Sequence, residues 1–324
     1  MSSKKLTEQR VLLTGASGTL GYHVLEQLAS VPKTKVLALL RPSSRIRKAH
    51  EFVQCHSVDF FDEKALDEVI KRFSPTCLIH CAATTTRFDR KHWFDMIRFN
   101  VDVSLQLCEC VSHVSNCHFV YIGTGLAYRD EGRPLSETDA LDTRHPYGAS
   151  KAAADLLVRA AAAEFGVKLT VLRPFSFTGI ADDRERLFPS LLRAASENRA
   201  FDLAPGDQIR DYCAAQDIAS GIIAAALKET SPSSNLRVFN LGSGRTDTLK
   251  FVIEKVVSDL GLKIKLCFGG KSYMPFEPKY LSANISVARQ SLGWKPKTDL
   301  SYAVWQLAEQ HFPDLKLQRP TEFL

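Results

Sequence analysis

Long apolar runs are missing from this 324-residue sequence, and none approaches the roughly 20 residues that a helix needs to span a bilayer. The N-terminal segment, MSSKKLTEQR, also lacks the apolar core that a secretory signal peptide carries before its cleavage site. These absences argue against a membrane protein and against secretion. We therefore expect a cytoplasmic protein that has no membrane partner.

Metal-binding patterns are missing as well. The eight cysteines are scattered, with no CxxC pair and no histidine at zinc spacing. Several cysteines lie within apolar segments, where the side chain packs as a small hydrophobic group. We expect reduced thiols and no metal site.

Charge of one sign is only slightly in excess, because 42 Lys and Arg stand against 36 Asp and Glu. Basic clusters such as RPSSRIRK at 41–48 are short and local. A nucleic-acid-binding protein more often presents a continuous basic face with aromatic side chains between the charges. We expect no nucleic-acid partner, and the modest excess suits a small anionic ligand at least as well.

Strand-like and helical segments alternate through the first half of the chain. The strand-like segments are RVLLTGA (10–16), KVLALL (35–40), CLIHCAA (77–83), HFVYIGT (118–124) and VKLTVLRP (167–174). Helical periodicity marks the segments between them, including one helix over 96–113. This alternation predicts an α/β fold, with a parallel sheet that is covered by helices on both faces.

The alternation weakens after about residue 175. FDLAPGDQIRDY (201–212) predicts two short strands around a Pro-Gly-Asp turn, and RVFNLGSG (237–244) predicts another strand. Asp217 is a candidate cap for the next helix, and Gly261 is a candidate glycine just beyond the end of a later one. We predict a coenzyme-binding domain over 1–174, joined by parts of 211–245, and a substrate-binding lobe over 175–324.

A glycine-rich turn joins the first predicted strand to the first predicted helix. Small residues there let the backbone approach a pyrophosphate, and the helix N-terminus supplies free amides and a positive dipole end. In this context the sequence TGASGTLG at 14–21 predicts a dinucleotide site. The candidate phosphate-binding residues are Gly15, Ser17, Gly18, Thr19, Leu20 and Gly21.

Arg41 stands 20 residues beyond Gly21, directly after the second predicted strand. NAD enzymes carry an acidic residue near this point, which accepts the ribose hydroxyls. A guanidinium instead binds a 2′-phosphate through two hydrogen bonds, and Ser44 follows close by. We therefore predict NADP(H) in preference to NAD(H); the alternative is a solvated basic turn.

Tyr147 and Lys151 are four residues apart in HPYGASKAAAD (145–155), so on a helix both side chains would emerge on one face. An ammonium beside a phenol favours the phenolate and lowers the tyrosine pKa from its usual value of ~10. Such a phenol can exchange protons near neutral pH. For an isolated YxxxK pattern a surface pair is the ordinary alternative.

The glycine turn and the YxxxK pair together resemble the short-chain dehydrogenase/reductase superfamily. Further segments resemble its extended nucleotide-sugar epimerase/dehydratase family: SVDFFD (57–62), HCAATT (80–85), FNVDVSLQL (99–107), FVYIGTGLAYRD (119–130), LRPFSFTG (172–179), QIRDYCAAQDIA (208–219) and SLGWKPKTDL (291–300). The resemblance covers nearly the whole chain. It implies a Rossmann-type doubly wound parallel sheet with a smaller C-terminal α/β lobe for the substrate.

The resemblance also implies the remaining coenzyme contacts. Asp59 and Phe60 would flank the adenine, and Asn100 would support the active site. The other implied contacts are Ala82, Ala83, Thr84, Tyr147, Lys151, Pro174, Phe175 and Ser176.

Catalysis is implied for Thr124, Tyr147 and Lys151. Tyr147 would exchange a proton with a sugar oxygen, Lys151 would lower the tyrosine pKa and bind the nicotinamide ribose, and Thr124 would orient the substrate. The implied substrate contacts are Thr124, Ser176, Asn284 and Arg210, of which Arg210 would grip a nucleotide diphosphate. Ser176 stands where the family often has asparagine, and Asn284 stands where aspartate is common.

Among the reactions of this family the sequence favours reduction. Dehydratases carry Asp-Glu after the catalytic threonine, whereas Gly125-Leu126 follows Thr124 here. A net reductase needs a coenzyme that leaves, and Arg41 suits NADPH. We predict a 4-ketoreductase of a nucleotide-linked deoxysugar. A nucleotide-sugar epimerase, for example a 4-epimerase, is the alternative, and a non-sugar extended reductase is the second.

The family resemblance also implies a second copy of the chain as a partner. Seven alanines between 152 and 163 give the Tyr147 helix a low-relief surface. We expect a homodimer through the helices that follow Asn100 and Tyr147, with a nucleotide-diphosphate sugar as the small-molecule partner.

Overall fold

The computed structural model describes residues 8–84, 90–228 and 235–323. Residues 1–7 of the N-terminal segment and Thr85 of the HCAATT segment lie outside the described residues. Among the described helices, none combines the length and the apolarity that a transmembrane span requires.

The described strands are β1 (Gln9–Thr14), β2 (Thr34–Leu40), β3 (Val53–Ser57), β4 (Cys77–His80), β5 (His118–Ile122), β6 (Lys168–Pro174), β7 (Ser176–Thr178), β8 (Phe201–Leu203), β9 (Ile209–Arg210), β10 (Tyr212–Ala214), β11 (Leu236–Leu241), β12 (Leu266–Phe268) and β13 (Tyr280–Leu281). The described helices are α1 (Thr19–Leu28), α2 (Glu63–Phe73), α3 (Arg90–Ile97), α4 (Val103–Ser112), α5 (Pro146–Glu164), α6 (Leu187–Ser196), α7 (Ala215–Leu227), α8 (Leu249–Asp259), α9 (Ser286–Leu292) and α10 (Leu300–His311). A π-helical turn spans Arg98–Asp102, and a 3₁₀ turn spans Gly125–Ala127.

Seven parallel strands form the central sheet, in the order β11-β6-β5-β4-β1-β2-β3. The chain runs outward from β1 to β2 and β3, and then returns to β4 on the other side of β1. This reversal leaves a crevice at the carboxyl ends of β1 and β4, which is where open α/β sheets bind their ligands. The doubly wound Rossmann-type prediction is confirmed.

Two apolar layers cover the faces of the sheet. Neighbouring residues of a strand point to opposite faces, so Leu13 packs with Val24 and Ile218 whereas Leu12 packs with Leu66 and Val158. Helices α1 and α7 therefore cover one face, and α2, α4 and α5 cover the other. All six of the side chains named above are fully buried.

The smaller lobe is built on three two-stranded parallel ladders, β7 with β10, β8 with β12 and β9 with β13. Phe188, Ile253 and Leu307 lie in its own apolar core, beneath helices α6, α8 and α10. Strand β11 and helix α7 come after residue 174 in the chain but pack on the central sheet, within the 211–245 segment that the sequence assigned to the first domain.

Several local predictions need correction. The 201–212 segment has two short strands around the Pro-Gly-Asp turn, β8 and β9, as predicted, and an additional strand, β10, begins at its last residue; each of the three pairs with a different distant strand. The helix predicted over 96–113 is interrupted by the π-helical turn, and strand β3 was not predicted. The predicted glycine after α8 is confirmed, because Gly261 follows the helix with φ +58°.

The prediction that Asp217 caps a helix is wrong. Helix α7 begins at Ala215 with Ala214 as its cap, which places Asp217 inside the first turn. The Asp217 carboxylate instead accepts hydrogen bonds from the backbone N–H groups of Lys297 and Thr298, at 2.8 and 2.7 Å. These bonds tie α7 to the C-terminal segment.

Candidate active site

The glycine turn packs directly against the end of β4. Gly15 has φ +74°, and a Cβ on it would lie 2.5 Å from the backbone nitrogen of Ala82. A Cβ on Gly21 would lie 2.1 Å from the carbonyl oxygen of Gly15. Gly18 precedes α1 without a side-chain cap, so the first amides of that helix remain available. This geometry suits a pyrophosphate at the helix N-terminus.

The other residues of the turn differ in what they offer a ligand. Ser17 is half-buried, whereas the side chain of Leu20 is buried in the core, so Leu20 could contribute only backbone atoms. The Thr19 hydroxyl donates to the carbonyl oxygen of Ala181, at 3.1 Å. Thr19 thus connects the turn to the loop that precedes α6.

Arg41 lies exposed at the carboxyl end of β2, and no described residue pairs with its guanidinium. The backbone N–H of Ser44 donates to the Arg41 carbonyl, which closes a turn beyond the strand. The two sequence-based interpretations, a 2′-phosphate ligand and a solvated turn, both suit this position.

The two residues expected at the adenine lie just beyond β3. Asp59 is exposed, and its carboxylate accepts from the backbone N–H of Phe61. The side chain of Phe60 is buried and packs edge-on against Phe99, with ring centres 5.6 Å apart. Phe60 could therefore meet an adenine only through its backbone.

Asn100 lies in the π-helical turn and is fully buried. Its side chain accepts from the Thr84 N–H at 2.8 Å and donates to the Thr84 carbonyl at 3.0 Å. It also donates to the Ser150 hydroxyl, which in turn donates to the Tyr147 carbonyl. This chain of bonds links the segment after β4, which includes Ala82 and Ala83, to the first turn of α5. π-Helical turns that interrupt an α-helix, like the one that contains Asn100, are frequent at functional sites.

Tyr147 and Lys151 occupy successive turns at the start of α5. Lys151 is 1% exposed, its ammonium lies 4.3 Å from the centre of the Tyr121 ring, and it has no hydrogen-bond partner in the described residues. Burial lowers its pKa to about 7, and the Asp155 carboxylate opposes this shift. Burying an ammonium that has no hydrogen-bond partner destabilises the folded protein, unless a ligand oxygen accepts a hydrogen bond from it.

The expectation that Lys151 lowers the tyrosine pKa is wrong for the protein without ligands. Burial raises the pKa of Tyr147 to about 12, and the cation that opposes this shift is Arg186. A lysine with a pKa of about 7 is uncharged in the pH range where Tyr147 ionises, so it cannot favour the phenolate there.

Thr124 is buried at the carboxyl end of β5, where its hydroxyl oxygen accepts from the Leu126 N–H at 3.2 Å. The hydroxyl proton is left to donate elsewhere. A Cβ on Gly148 would lie 2.2 Å from the Leu126 carbonyl oxygen. The start of α5 therefore packs against the 3₁₀ turn that follows Thr124.

Pro174, Phe175 and Ser176 join β6 to β7. Pro174 and Phe175 are buried, and the Phe175 ring stacks on Tyr128 with ring centres 6.2 Å apart. Ser176 is half-buried at the start of β7. Of the three residues, Ser176 is the one whose side chain could meet a substrate.

Arg210 is buried and already binds an anion. Its guanidinium donates to the Glu277 carboxylate and to the Pro278 carbonyl, at 2.7 Å each. A second guanidinium nitrogen donates to the Ile209 carbonyl at 2.7 Å. A diphosphate at Arg210 would have to displace or share the Glu277 contact.

Asn284 is occupied by structural bonds. Its amide donates to the Ser136 hydroxyl at 3.2 Å, and its carbonyl accepts from the Ser286 N–H at 3.0 Å, just before α9. The predicted substrate contact at Asn284 stays a prediction, for which the second N–H of the side-chain amide is the candidate donor.

Two further residues belong to the same region. Arg186, at the start of α6, pairs with Asp182 at 2.9 Å and acts on the pKa of Tyr147. His145 precedes α5 and accepts from the Gly148 N–H. Helix caps are usually Ser, Thr, Asp or Asn, so the sequence rules for caps do not select His145. The signal in the sequence is Pro146, because proline is common at the first position of a helix and marks His145 as the residue at the cap.

These features define a dinucleotide-binding α/β enzyme. The orphaned Lys151 ammonium, and the glycine positions at which a Cβ would collide with backbone, fit a nicotinamide dinucleotide that lies over the carboxyl ends of β1 and β4. Residues 11–242 match the model of the NAD dependent epimerase/dehydratase family. The chain belongs to that family.

The chain is similar to several characterised enzymes along almost its whole length. It is 23% identical to the UDP-glucose 4-epimerase of Lacticaseibacillus casei, over 93% of this chain and 97% of that one. It is 24% identical to the dTDP-4-dehydro-6-deoxyglucose reductase of Escherichia coli, over 92% and 96%. The crystal structure of UDP-glucuronic acid 4-epimerase from Bacillus cereus, in complex with UDP-glucuronic acid and NAD, superposes with a TM-score of 0.83 at 22% identity, over 93% and 98%.

Proposed function

We propose that this protein is a nucleotide-sugar 4-epimerase that uses a nicotinamide dinucleotide. The observation that carries the proposal is the buried, unpartnered ammonium of Lys151 one helical turn from Tyr147, at the ligand edge of the sheet. Similarity to UDP-sugar 4-epimerases favours epimerisation over the reduction that the sequence alone favoured.

In this proposal a nicotinamide dinucleotide, held by the glycine turn and by Lys151, would supply reversible hydride chemistry at one sugar carbon. The configuration of that carbon would invert because hydride would leave one of its faces and return to the other. Tyr147 removes the proton of the hydroxyl on that same carbon and gives it back, while Thr124 donates a hydrogen bond to the same oxygen. Lys151 donates to the ribose hydroxyls. Because these oxygens favour the charged ammonium, they raise the pKa of Lys151, and the restored charge then lowers the pKa of Tyr147.

The substrate would lie between the two lobes of the chain. Arg210 would bind the diphosphate in place of Glu277, since a guanidinium pairs with a phosphate as it does with a carboxylate. Ser176 would face the sugar beside Tyr147. The positive charge of Arg186 would favour the phenolate by lowering the pKa of Tyr147.

The decisive experiment is an incubation of the purified protein with UDP-glucose, UDP-N-acetylglucosamine and UDP-glucuronic acid, followed by NMR of the sugar signals. We expect one of them to equilibrate with its 4-epimer without net oxidation or reduction. Tyr147→Phe serves as the matched inactive control. A wild-type protein that interconverts no nucleotide sugar would refute the proposal.

Arg41 supports a second candidate function, an NADPH-dependent 4-ketoreductase, because its exposed guanidinium suits a 2′-phosphate. Calorimetry with NADH and NADPH tests this candidate. If it holds, NADPH binds more tightly, and Arg41→Ala weakens NADPH about tenfold while leaving NADH unchanged. Tighter binding of NADH would reject it and agree with an epimerase that uses NAD.

We also propose that the protein forms a homodimer through α4 and α5. Leu156 and Leu157 are 51% and 45% exposed on α5, between the small exposed residues Ala153 and Ala160. Exposed apolar faces of this kind are typical of protein interfaces. Light scattering after gel filtration should give the mass of two chains, and the double substitution Leu156→Glu and Leu157→Glu should give the mass of one.

A further inference from the structure

His145 holds the first turn of α5 with one ring nitrogen. Its Nδ1 atom accepts a hydrogen bond from the Gly148 N–H at 3.4 Å, and its carbonyl accepts from the Ala149 N–H at 2.8 Å. Tyr147 lies inside this capped turn. The cap therefore sets the position of the tyrosine backbone.

The same bond fixes the state of the second ring nitrogen. A ring nitrogen that accepts a hydrogen bond carries no proton, so in the neutral imidazole the proton resides on Nε2. Nε2 is then a hydrogen-bond donor of fixed direction. No described residue accepts from it, and the ring is half-buried beside the Tyr147 ring, so this donor has no partner among the described residues.

The His145 ring also lies beside the tyrosine end of the proposed substrate site. It packs edge-on against the Tyr147 ring, with ring centres 6.5 Å apart. From the smaller lobe, the Glu277 carboxylate and the Arg210 guanidinium both act on the His145 pKa, with opposite signs. His145 therefore lies against Tyr147 and within the electrostatic influence of the Arg210–Glu277 pair, and Tyr147 and Arg210 are two of the proposed substrate contacts.

We propose that His145 is a substrate-binding residue, whose Nε2–H donates to an oxygen of the sugar-phosphate portion of the bound nucleotide sugar. The inference rests on the proposed function, since it needs a nucleotide sugar in this cleft. The acceptor is either a phosphate oxygen or a sugar hydroxyl, and both present the same lone pairs to the donor.

The test separates this role from helix capping. In His145→Asn the side chain still caps the helix, because asparagine is among the best caps, but it is too short to reach the substrate. In His145→Ala both functions are lost. His113→Asn is the matched control, since His113 is exposed and bonded to Asp67 on α2.

We expect His145→Asn to keep the melting temperature and kcat of the wild type and to raise KM for the nucleotide sugar about five- to tenfold, as the loss of one hydrogen bond predicts. His145→Ala should show the same rise in KM together with a lower melting temperature and a lower kcat, because the uncapped turn holds Tyr147 less firmly. His113→Asn should match the wild type in KM.

Calorimetry with UDP and with the UDP-sugar locates the acceptor. Weaker binding of both ligands to His145→Asn assigns it to the phosphate, and weaker binding of the UDP-sugar alone assigns it to a sugar hydroxyl. Wild-type affinity and wild-type KM in His145→Asn would overturn the inference while leaving the proposed function intact. A wild-type protein that binds no nucleotide would overturn both.

Discussion

The ammonium of Lys151 lies 4.3 Å from the centre of the Tyr121 ring, and in the described residues no atom accepts a hydrogen bond from it. The electron-rich ring face offers partial compensation for the buried charge. The N–H groups of the ammonium remain free to donate to a bound ligand. The site is therefore built for a ligand with oxygen acceptors.

Tyr147→Phe should lower kcat by about 10²–10⁴, because it removes the group that exchanges the proton. Substrate and coenzyme binding should change little, since the ring and its packing remain. Turnover and calorimetry of the same preparation measure both quantities. Tyr302→Phe, on α10, is the control and should retain wild-type turnover. Wild-type activity in Tyr147→Phe would exclude this tyrosine as the proton-transfer group.

Lys151→Met should stabilise the ligand-free protein and abolish most of its activity. The substitution removes a buried ammonium without a partner, whose burial costs on the order of 1 kcal/mol or more. The pKa of about 7 in the folded protein lies below the ordinary value of 10.5. The unfolded chain therefore binds the extra proton between these values, and wild-type stability should rise as the pH climbs above about 7.

Urea unfolding at a series of pH values measures this gain. Lys151→Met should lack it, so the two stability curves should converge at alkaline pH. Parallel curves would show that Lys151 is not the group responsible.

Asp155→Asn should destabilise the protein by about 3 kcal/mol. The Asp155 carboxylate accepts from Arg173 at 2.8 Å, both side chains are 1% exposed, and the substitution leaves the guanidinium buried without its counter-charge. Urea unfolding gives the free energy. Lys71→Ala, which breaks the exposed pair with Asp67, should cost only about 0.3–0.5 kcal/mol. Equal losses in the two variants would contradict this account.

Activity should fall on the acid side as His145 gains a proton. Burial lowers its pKa below the ordinary 6.5, with Glu277 opposing and Arg210 adding to the shift, and the Tyr147 ring lies against it. The neutral ring therefore contributes stability that is complete above pH 6.5 and is lost as the pH falls through the lower, folded-state pKa. The protonated ring cannot accept from Gly148.

The measurement is a profile of kcat/KM against pH for the wild type and for His145→Asn. The variant should lack this acid limb, because asparagine caps the helix at every pH. An unchanged acid limb in the variant would assign the titration to another group.

Sequence patterns predicted much of the fold, because a strand or a helix depends mainly on residues that are close to one another in the sequence. The strand-like segments at 10–16 and 35–40 correspond to β1 and β2, and the spacing of Tyr147 and Lys151 required only that the helix form. Strand β3 escaped prediction because it lies at the sheet edge, where its mostly exposed residues give no apolar run. The ladders of the smaller lobe escaped because their partners are distant in sequence.

By itself the sequence determined the alternation of strands and helices in the first half apart from β3, the glycine turn and the tyrosine–lysine pair, because periodicity and glycine conformation act within a few residues. Only the tertiary structure decided that Asp217 binds the C-terminal segment and that Glu277 forms an ion pair with Arg210. It also decided that burial raises the pKa of Tyr147 and lowers that of Lys151. These properties depend on which groups surround a side chain and on how much water reaches it, and packing between distant segments sets both.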